Sequence, residues 1–230
     1  MIARLLRAAL LDQVSRDHRQ PDHEFRRRRV VVAVVLVVGA TLLGISLSIR
    51  PGDASFYPLT LTVAATWIAG GLLSGPLHLG YLPWRGSLRR PVLSGLLIGV
   101  LAGAVFLCGG LVVRQIGPLN DYVQSVLAHA RFGSVIPITL ITLVNGLAEE
   151  VFFRGALYAA IGRRYPVLIS TVVYGAATLS TRNPMLVFAA LTLGLVLALQ
   201  RRASGGILAS AVTHLTWSTM MLFLLNPLFS

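Results

Sequence analysis

Of the eight acidic residues in this 230-residue chain, Asp12, Asp17, Asp22, Glu24, Asp53 and Asp121 lie in the N-terminal tail or between apolar segments. The other two stand side by side inside an apolar run, in Asn145-Gly-Leu-Ala-Glu-Glu-Val-Phe-Phe-Arg154. An ionisable residue at the middle of a membrane helix costs about 2.5–3.5 kcal/mol on insertion scales, so three within six positions would cost on the order of 9 kcal/mol. A sequence keeps such a load only for a compensating role. Glu150 and Arg154 are spaced i,i+4 and can neutralise each other on one helix face. Glu149 points about 100° away, one turn from Asn145, with no counter-ion on its own helix. A carboxylate so placed is suited to act as a general base. A second polar oddity lies near the C-terminus, where His214 sits mid-run in Ser210-Ala-Val-Thr-His-Leu-Thr-Trp-Ser218 with Ser218 one turn further on the same face. At about 1.5 Å per residue the acidic pair and His214 fall in one layer of a membrane bundle, and can face one cavity. A competing reading makes all of them interhelical hydrogen-bonding glue.

The elements that must position these residues are apolar helices. The chain is 55% hydrophobic and 12% charged, with a mean hydropathy of +0.76. Soluble domains carry roughly 25% charged residues, which excludes a soluble globular enzyme, a disordered tail and a disulfide-stapled module. Cys108 is the only cysteine, so no internal disulfide or thiolate cluster can form. A helix crossing the hydrocarbon needs about 20 mostly apolar residues. Val30 to Ile49 qualifies outright, and further candidates cover 56–79, 91–113, 133–162, 165–181, 184–200 and 205–227. The expectation is an all-α polytopic membrane protein of about seven spans, the fifth of them short. It divides into a basic tail (1–29), N-terminal spans with an outer connector (30–132), and a C-terminal core of four spans (133–230).

Arginine placement tests this segmentation. All 20 basic residues are arginine, and cytoplasmic flanks hold the excess of basic residues. With the N-terminus inside, Arg4, Arg7, Arg16, Arg19, Arg26 to Arg29, Arg85, Arg89, Arg90, Arg163, Arg164, Arg201 and Arg202 are inner, whereas only Arg50, Arg114, Arg131 and Arg182 are outer. A multi-pass plasma-membrane protein with a cytoplasmic N-terminus follows, and the arginine-only, alanine- and valine-rich composition suits a GC-rich bacterium. The net charge of +12 is thus a topological signal, and nucleic acid is not an expected partner. Met1 to Gln13 has too short an apolar stretch for a secretory signal. Ile2, Leu5, Leu6, Ala9 and Leu10 would make the apolar face of an interfacial helix, a solvated basic leader being the alternative. Leu119 to Phe132 reads as an outer loop or interfacial helix, with a solvated connector favoured. Gly70, Gly71, Gly95, Gly99 and Gly103 read as sites of close helix packing.

At the charged residues the sequence resembles the CPBP family of intramembrane proteases, which includes the type II CAAX prenyl endopeptidases and bacteriocin-processing relatives. Glu149, Glu150 and Arg154 match its Glu-Glu-x-x-x-Arg motif. Tyr174-Gly-Ala-Ala-Thr178 aligns with Phe-x-x-x-His, with Tyr174 in place of Phe and Thr178 in place of His. His214 and Ser218 align with a His followed four residues later by Asn or Asp, with Ser218 in the second place. The resemblance spans about residues 133–225, and includes the glycine step Arg202-Ala-Ser-Gly-Gly-Ile-Leu-Ala-Ser210.

The resemblance implies that the last four spans form a CPBP-type core enclosing a hydrated cavity open to the cytoplasm. It implies an intramembrane endopeptidase in which Glu149 activates water. Glu150 and Arg154 would hold the helix and the substrate backbone, and His214 would bind the water or the oxyanion. Asn145, Tyr174, Thr178 and Ser218 are supporting candidates, with hydroxyl help expected from Thr178 or Tyr174. Zinc is a conceivable cofactor, but such sites normally use three protein ligands, and Glu149 with His214 leaves the set one short unless Glu150 joins. The expected partners are the lipid bilayer and a membrane-associated or lipidated peptide or protein substrate. Two other functions compete: a catalytically impaired scaffold or chaperone of the same fold, which the absent histidine favours, and a small proton-coupled transporter using the acidic pair.

Overall fold

The computed structural model describes residues 2–15, 20–84 and 86–229; Arg16, Asp17, His18, Arg19 and Arg85 lie outside them. Among the described residues the chain forms helices α1 (Ile2–Leu10), α2 (Asp22–Ser48), α3 (Phe56–Ser74), α4 (Val92–Val113) and α5 (Gly117–Arg131), then α6 (Val135–Ile161), α7 (Pro166–Thr178), α8 (Pro184–Ser204) and α9 (Leu208–Leu228). Six of these (α2, α3, α4, α6, α8 and α9) are long and apolar enough to cross a membrane. The fifth predicted span is the shorter α7, extended by one 3-10 turn from Leu179 to Thr181. Its limits are local. Gly162 and Tyr165 both adopt positive φ before Pro166, and Arg182 adopts positive φ after the turn. Asn183 then starts α8 by accepting from the Met185 and Leu186 amides, which satisfies donors that a helix start leaves unpaired. The fold is an all-α polytopic membrane bundle, as the hydropathy predicts.

Three details go beyond the sequence reading. The stretch read as an outer loop or interfacial helix is the helix α5. It is tied to the bundle because Asn183 donates to the Tyr122 carbonyl, Gln124 donates to the Phe229 carbonyl, and His129 contacts the Ile49 carbonyl. Between α3 and α4 the chain forms an antiparallel hairpin pairing Leu82–Trp84 with Ser87–Arg89, which no alternation in so short a segment announces. The N-terminal helix forms and packs on the bundle through one face. Its Ala9 is buried among Leu82, Ile98 and Ala203, and Arg202 donates to the Leu10 carbonyl.

Two packing seams position the C-terminal half. Along α4, a Cβ built on Gly95 would come within 2.8 Å of Val212 Cβ, and one on Gly99 within 2.6 Å of Thr216 Cβ. The small-residue stripe therefore lets α4 and α9 touch backbone to side chain, as van der Waals-driven membrane packing favours. The second seam is aromatic. Trp67 of α3 stacks at 4.6 Å on Phe152 and at 5.1 Å on Phe153, and Phe153 meets Tyr174 of α7 at 4.6 Å. Those rings surround the charged stretch of α6. Arginines assigned to one side also gather at one end of the bundle: Arg28, Arg29, Arg163, Arg164 and Arg201 border a common cavity there.

Replacing Gly99 by valine is expected to lower stability by about 1–3 kcal/mol through overpacking, whereas Gly109→Val, at a position with nothing within 4 Å of a built Cβ, is expected to be neutral. Thermal unfolding of both variants in the same detergent measures the difference.

Candidate active site

The charged segment of α6 is not an ordinary α-helix. From Glu150 to Leu157 it widens into a π-helical stretch, a form that recurs at functional sites. The glycines around it are steric requirements. A Cβ on Gly155 would fall 2.7 Å from Leu77, and a Cβ on Gly194 of α8 would fall 3.0 Å from Tyr174 and 3.2 Å from Arg154 Nη2. Gly146, one turn before Glu150, faces His214 and Ser218, whose atoms lie 3.8 and 3.7 Å from its Cβ position.

Glu150 is fully buried, and its Oε1 lies 3.1 Å from Arg154 Nη1 and 3.0 Å from His214 Nδ1. The i,i+4 pairing expected on α6 is present, and the same oxygen joins α6 to α9. Arg154, 1% exposed, also donates through Nη2 to the Gly194 carbonyl at 3.2 Å and stacks 4.5 Å over the Tyr174 ring. Its backbone carbonyl accepts a 2.7 Å bond from Arg201 Nε. The guanidinium is thus held from α6, α7 and α8 together. Ser210, buried one turn before His214, adjoins Glu150.

Glu149 points elsewhere, as the helical angle predicts. It is half-buried and its Oε2 accepts a hydrogen bond from the Tyr174 hydroxyl. The side chains therefore form two joined pairs, Glu149 with Tyr174 and Glu150 with His214, linked by Arg154 lying on the Tyr174 face. Thr178 is buried, but its hydroxyl donates to the Tyr174 carbonyl of its own helix. Asn145 likewise donates to the Ile141 carbonyl, 3.0 Å away. Ser218 lies on the His214 face of α9, buried beside Gly146.

The position of open space departs from expectation. A cavity of about 840 Å³ opens at the arginine-rich end, and none of Glu149, Glu150, Tyr174 or His214 lines it. The carboxylates instead sit in a packed layer, because Phe152, Phe153 and Trp67 fill the space around the π-helical turn. Among the described residues no three His, Cys, Asp or Glu side chains group as a metal site would require. Glu149 is engaged by Tyr174 while His214 is engaged by Glu150, so the donors do not converge as three zinc ligands do.

Sequence reasoning placed Glu149, Glu150, Arg154, Tyr174 and His214 in this layer. It missed Gly194, whose carbonyl receives Arg154, and Ser210, whose i−4 spacing from His214 was the available signal. It also missed Arg201, which from outside the motifs holds the Arg154 carbonyl.

Fold and layer together define a polytopic helical membrane protein with an ionic core between its sixth and last helices. Residues 131–220 match the model of a family described as Rce1-like, type II CAAX prenyl endopeptidase Rce1-like. The match is consistent with the CPBP resemblance and supports a CAAX protease-family intramembrane endopeptidase in general. No curated protein and no solved structure matches the chain.

Arg154→Leu would leave Glu150 buried without its cation and is expected to cost about 3–5 kcal/mol. Glu149→Gln keeps an acceptor for Tyr174 and is expected to cost less than about 1 kcal/mol. Denaturant unfolding in detergent compares them, and equal losses would refute this division between a structural and a free carboxylate.

Proposed function

We propose that the chain is an intramembrane endopeptidase in which Glu149 activates the attacking water. The observation that carries this reading is the unequal state of the two adjacent carboxylates. Glu150 is fully buried and its Oε1 faces both a guanidinium and an imidazole, whereas Glu149 is only half-buried and holds one neutral hydroxyl. A general base must have a lone pair within reach of its proton. With Oε2 receiving the Tyr174 hydroxyl, Oε1 of Glu149 is left for water.

The remaining roles follow from the bonds each group makes. Glu150 and Arg154 are positioning residues that fix the π-helical turn and orient His214. With Nδ1 directed at Glu150, the imidazole keeps Nε2 as its other polar edge, available to the water or to the oxyanion that forms on the substrate carbonyl. In the neutral ring Nε2 accepts from the water, and only with both nitrogens protonated would it donate to charge that develops in the transition state. Tyr174 takes over from the absent motif histidine. Its hydroxyl orients the Glu149 carboxylate, a task the Thr178 hydroxyl, turned to its own backbone, does not share. The donor geometry does not favour zinc, and no step is routed through a metal.

A membrane-associated or lipidated peptide is the substrate class, since the carboxylate layer belongs to spans that meet lipid. The impaired scaffold is a second reading, favoured by Thr178. It predicts partner binding without cleavage products.

In proteoliposomes containing a membrane-tethered peptide library, Glu149→Gln is expected to abolish cleavage while leaving the thermal midpoint near that of the parent. Tyr174→Phe is expected to lower kcat by on the order of 10²-fold with little change in KM, and Thr178→Val to change neither by more than about twofold. Unaltered cleavage in Glu149→Gln would reject Glu149 as the base. Absence of products from the parent chain at every pH would favour the scaffold.

A further inference from the structure

Near its C-terminal end, α8 carries two adjacent polar side chains that the proposed chemistry does not use: Gln200, 0% exposed, and Arg201, 4% exposed. They reach different helices. Arg201 Nε donates to the Arg154 carbonyl of α6 at 2.7 Å. Gln200 Nε2 donates to Thr213 Oγ1 of α9 at 2.8 Å, and that hydroxyl donates in turn to the Gly95 carbonyl of α4 at 2.9 Å. Thr213 is itself fully buried and immediately precedes His214. Two neighbours on α8 thus hold both walls of the contact between Glu150 and His214.

Each bond answers a local requirement. In an α-helix the Tyr158 amide would donate to the Arg154 carbonyl, four residues back. The π-helical stretch redirects that amide to the Phe153 carbonyl, and Arg201 supplies the donor that Arg154 loses. A charge-assisted bond of this kind is short and strong, so it favours the widened turn. A return to α-helical register would rotate the flanks of the turn against each other by up to about 100°. The 3.0 Å contact of Glu150 with His214 would not survive such a rotation. Orientation in the bilayer does not account for Arg201, since a topological signal needs arginines near the spans but not buried ones bonded to a neighbouring helix. Packing does not account for Gln200. A buried amide loses hydration that a methionine of similar size would not, and Oε1 has no hydrogen-bond partner among the described residues. What the amide does is hold Thr213. Fixing that residue fixes the direction of the next one, about 100° round the helix, and from that direction the imidazole meets Glu150.

We infer that Gln200 and Arg201 are positioning residues for the carboxylate layer. Arg201 holds the π-helical turn of α6, Gln200 holds the rotation of α9, and together they set the contact of Glu150 with His214. Their effect on cleavage rests on the peptidase reading, whereas their effect on the imidazole does not.

The test uses the full chain in proteoliposomes, labelled isotopically at the histidine nitrogens. NMR reads the imidazole resonances, and that of His214 is the one lost in His214→Gln. Gln200→Met and Arg201→Gln are each expected to move it. With the membrane-tethered peptide library, both should lower kcat by about tenfold to 10²-fold while KM changes by less than about twofold. Arg201→Lys keeps the charge without the planar Nε donor; it serves if loss of charge prevents folding, and should move the resonance too. Arg202→Gln removes the same charge from the same helix end, where Arg202 donates to the Leu10 carbonyl of α1. It should leave the resonance in place and change kcat by less than about twofold. The double variant Gln200→Met/Thr213→Val should lose no more than Thr213→Val alone, because both act through one hydroxyl. An unmoved resonance, equal effects from Arg202→Gln, or additive losses in the double variant would overturn the positioning role. Absence of products from the parent chain, with the resonance still moved by both variants, would reject the peptidase reading and leave the positioning role standing.

Discussion

The interaction on which the C-terminal half depends is the contact of one buried carboxylate oxygen with a guanidinium and an imidazole from different helices. Glu150 Oε1 faces Arg154 from its own helix and His214 from the last one. Taking such groups out of water costs several kcal/mol per ion, and their attraction offsets this only when the remaining donors are satisfied too. Here the surrounding chain supplies that satisfaction. Arg154 spends further donors on the Gly194 carbonyl and its flat face on Tyr174, so the requirements of one ion pair fix α6, α7, α8 and α9 in relation to each other. The glycine at 194 belongs to the same constraint, since its missing side chain is where the guanidinium and the ring come together.

The π-helical stretch follows from the same contact. Gly146 and Gly155 bracket the widened turn, the first facing α9 at ordinary van der Waals distance and the second accommodating Leu77. The helical step of about 100° per residue sends the two neighbours to different environments. Glu150 turns into the ionic core, and Glu149 turns toward α7 and the Tyr174 hydroxyl. Neutral and charged partners are thereby sorted between adjacent residues, and that sorting gives one of them the freedom that proton transfer requires.

Much of this was legible in the sequence because membrane segments announce themselves through composition, and buried charge through its cost. Six of the seven predicted spans form helices long enough to cross a membrane, and the i,i+4 spacing of Glu150 and Arg154 was enough to pair them. What remained hidden depends on groups that carry no pattern. The receiver of Arg154 is a backbone carbonyl. The choice of Glu150 over Glu149 as the imidazole's partner depends on how α9 is rotated against Gly95 and Gly99 of α4, more than a hundred residues from His214 in the chain. The hairpin at Leu82 and the docking of α5 through Asn183 are likewise tertiary outcomes of segments too short or too polar to carry periodicity.

The substitution of Thr178 for a histidine has a physical counterpart elsewhere in the same helix. A hydroxyl at the end of a short side chain within a helix is readily drawn to the carbonyl one turn back, and Thr178 donates there. It therefore brings no free donor to the carboxylate layer. Tyr174 stands one turn earlier, and its ring extends past the backbone far enough for the hydroxyl to reach Glu149 while the ring face receives Arg154. A phenylalanine there would keep the cation–π contact but leave Glu149 without that donor. The pairing of a tyrosine where the motif has phenylalanine with a threonine where it has histidine thus moves a hydrogen-bonding group along α7 without removing it from the site. The layer keeps a polar contact to each carboxylate, and under the proposed peptidase reading Glu149 would be a base oriented by the Tyr174 hydroxyl.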